Sequence, residues 1–176
     1  ARSWMSEGIR LAANDDGVRR AFDKLDRPGM LSELRKATKD TVNDLELMQA
    51  AVRAKDFRIP LEDLGKYLQF ARLKAQQTGQ SVDYLTDSII TGLGRKSLLI
   101  LDNLGLSAAE VNEEMAKTGD LMTAVAAIVD RQLAQAGENY VSAADKAAQK
   151  AAELQNMQME IGRLLLPLQE KWSSLF

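Results

Sequence analysis

The chain has no cysteine and no histidine. Thiolate nucleophiles, imidazole general bases and the usual zinc ligand sets are therefore excluded among these residues. Disulfides drop out as a stabiliser as well, although that absence fixes no compartment. Only three prolines interrupt the 176 residues, and aromatic side chains make up 5% of them, which leaves little for stacking on nucleic-acid bases. The formal net charge of -2 gives no electrostatic drive toward nucleic acid or an anionic membrane. Arg19-Arg20 and Arg95-Lys96 are isolated basic pairs, read as ordinary solvated charge. No uninterrupted apolar stretch approaches the roughly 18 residues of a membrane span. The opening ARSWMSEGIR lacks the apolar core of a signal peptide. The chain starts on Ala1 rather than methionine and reads as a piece of something longer.

What remains is abundant Ala, Leu, Gln, Lys and Glu without β-branched alternation, which favours an all-α fold. A hydrophobic content of 45% suffices for one moderate core or two small helical lobes. Segment 3–25 reads as one or two short helices broken near Asn14–Gly17, and Asp26–Gly29 (DRPG) as a turn. Val42, Leu45, Met48 and Val52 recur at helical spacing, with Thr41 and Asp44 placed to cap the start. Ile59-Pro60 opens the next helix, whose face carries Leu61, Leu64, Leu68, Ala71 and Ala75 and which Thr78-Gly79 ends. Ser81 caps a third helix with Val82, Leu85, Ile89 and Leu93. Ser107 and Glu110 form a further capping box, and Gly119-Asp120 precedes a helix with Leu121, Val125, Ile128 or Val129, and Leu133. Stripes of this kind imply a compact helical domain over 30–136, with 1–29 as an N-terminal helical extension.

From 140 to 176 the pattern changes. Ala144, Ala147, Ala151, Leu154, Gln158, Ile161, Leu165, Leu168, Trp172 and Leu175 advance by alternating threes and fours, the heptad seam of helices that coil around a partner. Two alternatives follow: a coiled-coil start truncated from a larger parent and able to self-associate, or a long helix packed onto the domain in cis. Pro167 predicts a kink or an end near Leu166. Leu154, Ile161, Leu165, Leu168, Trp172 and Leu175 are the candidate interaction seam. Met157 and Met159 read as lining a helix contact.

The stretch Thr91–Ser107 holds glycines, a basic pair and a serine, and has to be tested as a phosphate loop. A Walker pattern ending on Lys96-Ser97 needs glycine at positions 90 and 95, where Ile90 and Arg95 stand. The dinucleotide pattern fails at Ser97, and an amphipathic helix precedes the loop where a strand is required. Helix-end chemistry accounts for it more simply: Gly92 and Gly94 let the chain turn, Arg95 and Lys96 meet the carbonyl end, and Leu98–Leu101 is a buried plug before a turn at Asp102, Asn103 and Gly105. Asp15-Asp16 and Glu113-Glu114 point about 100° apart on a helix and read as solvated faces. Ser97, Ser107 and Ser142 have no histidine base and no lysine three residues on. No catalytic, cofactor or metal residue is assigned.

Longer words in the sequence go further. ATKDTVNDLELMQAAVRAKDFRIPLEDL (37–64), TGQSVDYLTDSIITGLGRKSLLILDNLGLS (78–107), TGDLMTAVAAIVDRQL (118–133) and QMEIGRLLLPL (158–168) resemble an internal region of phage and prophage tail tape measure proteins. The resemblance covers roughly residues 32 to 170. Its specific part is the central block: Gly79, Gln80, Ser81, Asp83, Tyr84, Gly92, Gly94, Arg95, Lys96, Ser97, Asp102, Asn103 and Gly105. Two departures stand out: Leu98 where the family pattern has proline, and Arg58 where glycine is common.

The resemblance implies a non-enzymatic structural role in tail assembly. The parent protein's length would set tail length while tube subunits polymerise around it. Implied partners are tail-tube, tail-tip and tail assembly chaperone proteins. The implied location is the bacterial cytoplasm during assembly, then the virion tail, inside its tube. No cofactor is implied. As one continuous helix the chain would reach roughly 260 Å, but Pro60, Gly79, Gly92, Gly94, Gly105 and Gly119 punctuate it too often for a rod. Two rival readings are a helical scaffold or adaptor unrelated to virions, and a nucleotide binder or enzyme built on Gly92–Ser97, against which the failed motif alignments speak.

Overall fold

The computed structural model describes residues 3–137 and 143–175, with side chains from Asp145 onward in the second stretch. Ala1, position 140, Ser142 and the side chain of Ala144 lie outside the described residues. The fold is all-α: α1 (Trp4–Asp23), α2 (Met30–Ala37), α3 (Asp44–Asp56), a 3-10 turn (Leu61–Asp63) running into α4 (Leu64–Thr78), α5 (Val82–Gly94), α6 (Leu98–Asn103), α7 (Ala108–Thr118), α8 (Leu121–Ala136) and the long α9 (Ala143–Ser174).

Local chemistry sets most of these limits. The side chains of Ser81, Ser107 and Asp120 accept from the backbone N–H three residues on, satisfying an otherwise orphaned donor at the starts of α5, α7 and α8. Gly79 and Gly119 end α4 and α7 at φ of 76° and 77°, a region where a Cβ is unwelcome. The capping box at Ser107 is half made, because the Glu110 carboxylate turns to Arg131 at 3.1 Å.

Several expectations need correction. Asn43, not Thr41, caps α3: Asn43 Oδ1 accepts from Glu46 N at 2.9 Å, while the buried Thr41 hydroxyl donates to the Thr38 carbonyl. Lys39 and Asp40, both at positive φ, carry the chain past Thr41 before the helix begins. Next, α1 runs unbroken through Asn14–Gly17. A helical glycine costs about 1 kcal/mol, and the packing of α1 against α9 and α3 outweighs it. Third, Leu98–Leu101 is not a buried plug but the first turn of α6, with only Leu101 fully buried and Leu99 74% exposed. Last, α9 continues through Pro167 to Ser174. Pro167 and Arg163 are both exposed, so water can take the Arg163 carbonyl that proline leaves without a donor.

The core forms around α4, which packs against α2, α5 and α8 and fully buries Leu64, Tyr67, Leu68 and Phe70. Met48 and Ala51 of α3, Leu85, Ile89 and Leu93 of α5, and Val125, Ile128 and Val129 of α8 close over it. Each fully buried Leu, Ile or Val contributes roughly 1.5–3 kcal/mol, so these stripes outweigh any single cap. The acid pairs are not simple solvated faces. Asp16 and Glu113 are exposed, but Asp15 and Glu114 are buried, paired with Arg19 at 3.1 Å and with Arg131.

Candidate functional site

Helix α9 offers two faces. Asp145, Ala152, Gln158, Met159 and Gly162 are buried on the first. Asp145 receives Arg72 Nη2 at 3.0 Å and Gln76 Nε2 at 2.9 Å from α4. Gln149 Nε2 donates to the Lys39 carbonyl, and Asn156 Oδ1 accepts from Asp44 N, so the turn before α3 is also tied to this face. At Gly162 the backbones of α9 and α1 meet: a Cβ there would overlap the Gly8 carbonyl, and one at Gly8 would overlap the carbonyl of Gln158. Gln158 Nε2 completes the crossing by donating to the Trp4 carbonyl at 2.7 Å.

The second face is the apolar one. Leu154, Leu168, Trp172 and Leu175 are 52–69% exposed, while Ile161 and Leu165 are half-buried. Met157 and Leu164 join them, 50% and 68% exposed. Together these residues fall on one side of the helix and form one ridge. The helix packs in cis, yet the cis contact does not use the seam as a whole. Close approach of two helices needs small residues at the crossing, and the bulky positions are left outside. Met159 is buried against the body and Met157 is not, which separates the two methionines the sequence grouped together.

The central block distributes its residues among several jobs. Gly79 and Ser81 are the helix stop and start already described, with Gln80 exposed between them. Tyr84 is exposed, and Asp102 and Asn103 finish α6 on the surface before Gly105 turns the chain at φ 80°. Gly92 and Gly94 do not themselves make the turn: both lie within α5, Gly94 as its last residue, and the chain turns at Arg95 and Lys96. A Cβ at Gly92 would approach Leu101 Cδ2 to 2.9 Å, and one at Gly94 would enter the Phe57 ring. Both glycines are seats for neighbouring side chains. Arg95 caps the C-terminus of α5, Lys96 takes the turn at φ 52°, and Ser97 Oγ accepts from Ile100 N at 3.3 Å. Lys96 and Ser97 therefore belong to a turn linking α5 to α6, with no strand among the described residues.

The two departures from the tape measure pattern fall at positions with specific backbone demands. Arg58 has φ 60°, where glycine is unstrained. Leu98 is the first residue of α6, directly after its cap, where proline loses nothing.

A third feature was hidden from the sequence. Between α1, α3 and α5 lies a groove of about 510 Å³, walled by Val18, Val42, Ala50, Val52 and Ile90. It also holds Glu46, Asp83, Asp87, Arg53 and Thr86. Arg53 pairs with Asp87 and donates to Thr91 Oγ1 at 2.8 Å. Glu46 and Asp83 have no cationic partner among the described residues. Burial, followed by the hydrogen-bonding approach and the charge of Asp83, pushes the Glu46 carboxyl up to about 8. Glu46 Oε2 and Thr86 Oγ1 are both buried without a hydrogen-bond partner. Of these lining residues, Asp83 alone belongs to the specific positions of the central block. The missed signal is the register Asp83-Thr86-Asp87-Ile90, polar groups interleaved with the apolar stripe of α5.

Among the described residues no cluster of acids is arranged to hold a metal ion, and no helix is long and apolar enough to cross a membrane. No family model, curated protein or solved structure matches the chain.

Proposed function

We propose that the chain is a structural segment of a phage tail tape measure protein that works through helix–helix contacts in tail assembly and length determination. The observation that carries the reading is the uncovered ridge of α9, from Leu154 to Leu175, on a helix whose other face is already occupied. Exposed apolar surface of this extent on an ordered helix is the usual mark of an interaction site. The family rests on the central block of the sequence. Support comes from Arg58 and Leu98, since the residues the family pattern has there, glycine and proline, are those the local backbone would favour. In this role the helical body is a folded module within the parent, and the ridge engages tube, tip or chaperone proteins. The work is done in the bacterial cytoplasm and then inside the tail tube, and it asks no bond-making step of these residues.

The test uses the full chain together with the tube, tip and chaperone proteins encoded beside its gene. Wild type should retain at least one of them in co-purification. Leu168→Asp with Trp172→Asp should lose it while keeping the helical circular dichroism of wild type. Retention of none by wild type, or the absence of tail genes from the neighbourhood, would defeat the reading.

A further inference from the structure

We propose that the groove between α1, α3 and α5 binds a primary alkylammonium group, with its nitrogen between Glu46, Asp83 and Thr86 and its carbon stem along Val18, Val42 and Ala50. The argument starts from what the groove leaves unpaired. Arg53, the cation among the lining residues, is already engaged by Asp87 and Thr91. That leaves the half-buried Glu46 carboxyl on α3 and the exposed Asp83 carboxyl on α5 facing each other, with no counter-charge among the described residues. Two acids held together in a partly buried site repel once both ionise, and a cation between them removes that cost. Beside them Thr86, 6% exposed, lines the groove with a hydroxyl that bonds to nothing. A buried hydroxyl normally finds a partner, most simply the carbonyl four residues back in its own helix. Here it stands as a third acceptor.

Three acceptors from three side chains match the three donors of an ammonium. A guanidinium presents a planar fork suited to one carboxylate, and among the described residues no cluster of acids is arranged to hold a metal ion. The apolar walls select further. A small inorganic cation would gain nothing from Val18, Val42 and Ala50, whereas an aliphatic stem buries itself against them. The same chemistry is carried by a free alkylamine and by the lysine side chain of a partner protein.

The full chain, isotopically labelled, is titrated with n-butylamine, Nα-acetyl-lysine N-methylamide, n-butylguanidine and n-butanol, with amide shifts followed by NMR at pH 8.5, where Glu46 is ionised. Saturable shifts centred on Glu46, Asp83 and Thr86 are expected with n-butylamine, and with n-butanol binding about tenfold weaker or more, the scale of one charge-assisted contact. Binding by the lysine amide as well identifies a protein side chain as an accepted source. Its failure alone confines the site to free amines. Glu46→Gln should weaken n-butylamine about tenfold and Thr86→Val several-fold, both with an unchanged helical spectrum. Equal binding of n-butanol, a preference for the guanidine, shifts located elsewhere, or full affinity in Glu46→Gln each overturns the proposal.

Discussion

At the scale of single residues, Glu46 is the group with the most to reveal. An unfolded chain would give up its proton near 4.5, whereas burial and Asp83 hold it in the folded chain up to about 8. Between those values the folded state binds more protons than the unfolded state, so a rise in pH favours unfolding. The contribution is complete below 4.5 and is lost as pH climbs through 8. The urea midpoint of wild type should therefore carry a downward component between pH 5 and pH 8. Glu46→Gln should lack that component and be the more stable of the two at pH 8. Parallel curves for the two proteins would show that the carboxyl titrates as though exposed. Nothing in the sequence announced this group, because a search for acid pairs looks at neighbours in the chain. Asp15-Asp16 and Glu113-Glu114 were visible for that reason, and they split, one member buried and one exposed. The pair that faces itself is assembled from two helices. Arg58 was hidden differently: a left-handed backbone leaves no trace in an arginine.

At the scale of elements, the stops of α4 and α7, the starts of α5, α7 and α8 and the buried stripes of α4, α5 and α8 were legible because each depends on residues within a few positions of one another. The opening read at Ile59-Pro60 is instead that of a 3-10 turn, and α4 begins at Leu64. Ser81, Gly79, Ser107, Gly119 and Asp120 act on their own helix ends. The buried face of α9 was not legible, for a physical reason. Hydropathy reports where apolar mass lies, but two helices crossing at their backbones exclude mass. Gly8 and Gly162 are the residues that matter there; Gln158 beside them is polar, and so is Asp145 farther along the same buried face. Valine at position 162 tests that account. Its side chain would enter the space held by the Gly8 carbonyl, a backbone atom that cannot rotate away. Overpacking in a tight contact costs about 1–3 kcal/mol, and a backbone neighbour places Gly162→Val at the upper end. The variant should expose α1 to protease while the segment from α2 to α8 resists digestion as in wild type. Unchanged protection of α1 would mean that the two helices do not meet at these glycines.

At the scale of the whole molecule, the question is what lies against the ridge. The body is closed: α4 sits among α2, α5 and α8, and Asp145 ties α9 to α4 through Arg72 and Gln76. Breaking a buried ion pair of this kind is strongly unfavourable, so the anchored half of α9 has little freedom to seek another partner. Its distal part differs, since every residue from Pro167 to Leu175 is exposed and among them are Leu168, Trp172 and Leu175. Those turns leave the body carrying apolar side chains, and a helix of like pattern is the cover that heptad-type spacing suits. A second copy of the chain supplies such a helix. Sedimentation of wild type should then show a concentration-dependent larger species, and Leu168→Asp with Trp172→Asp should abolish it. Leu165→Asp is the less discriminating choice, because Leu165 is half-buried and its loss would disturb the body as well as the ridge. A wild type that stays a single copy at every concentration would reserve the ridge for a different protein, and self-association would then contribute nothing to its role.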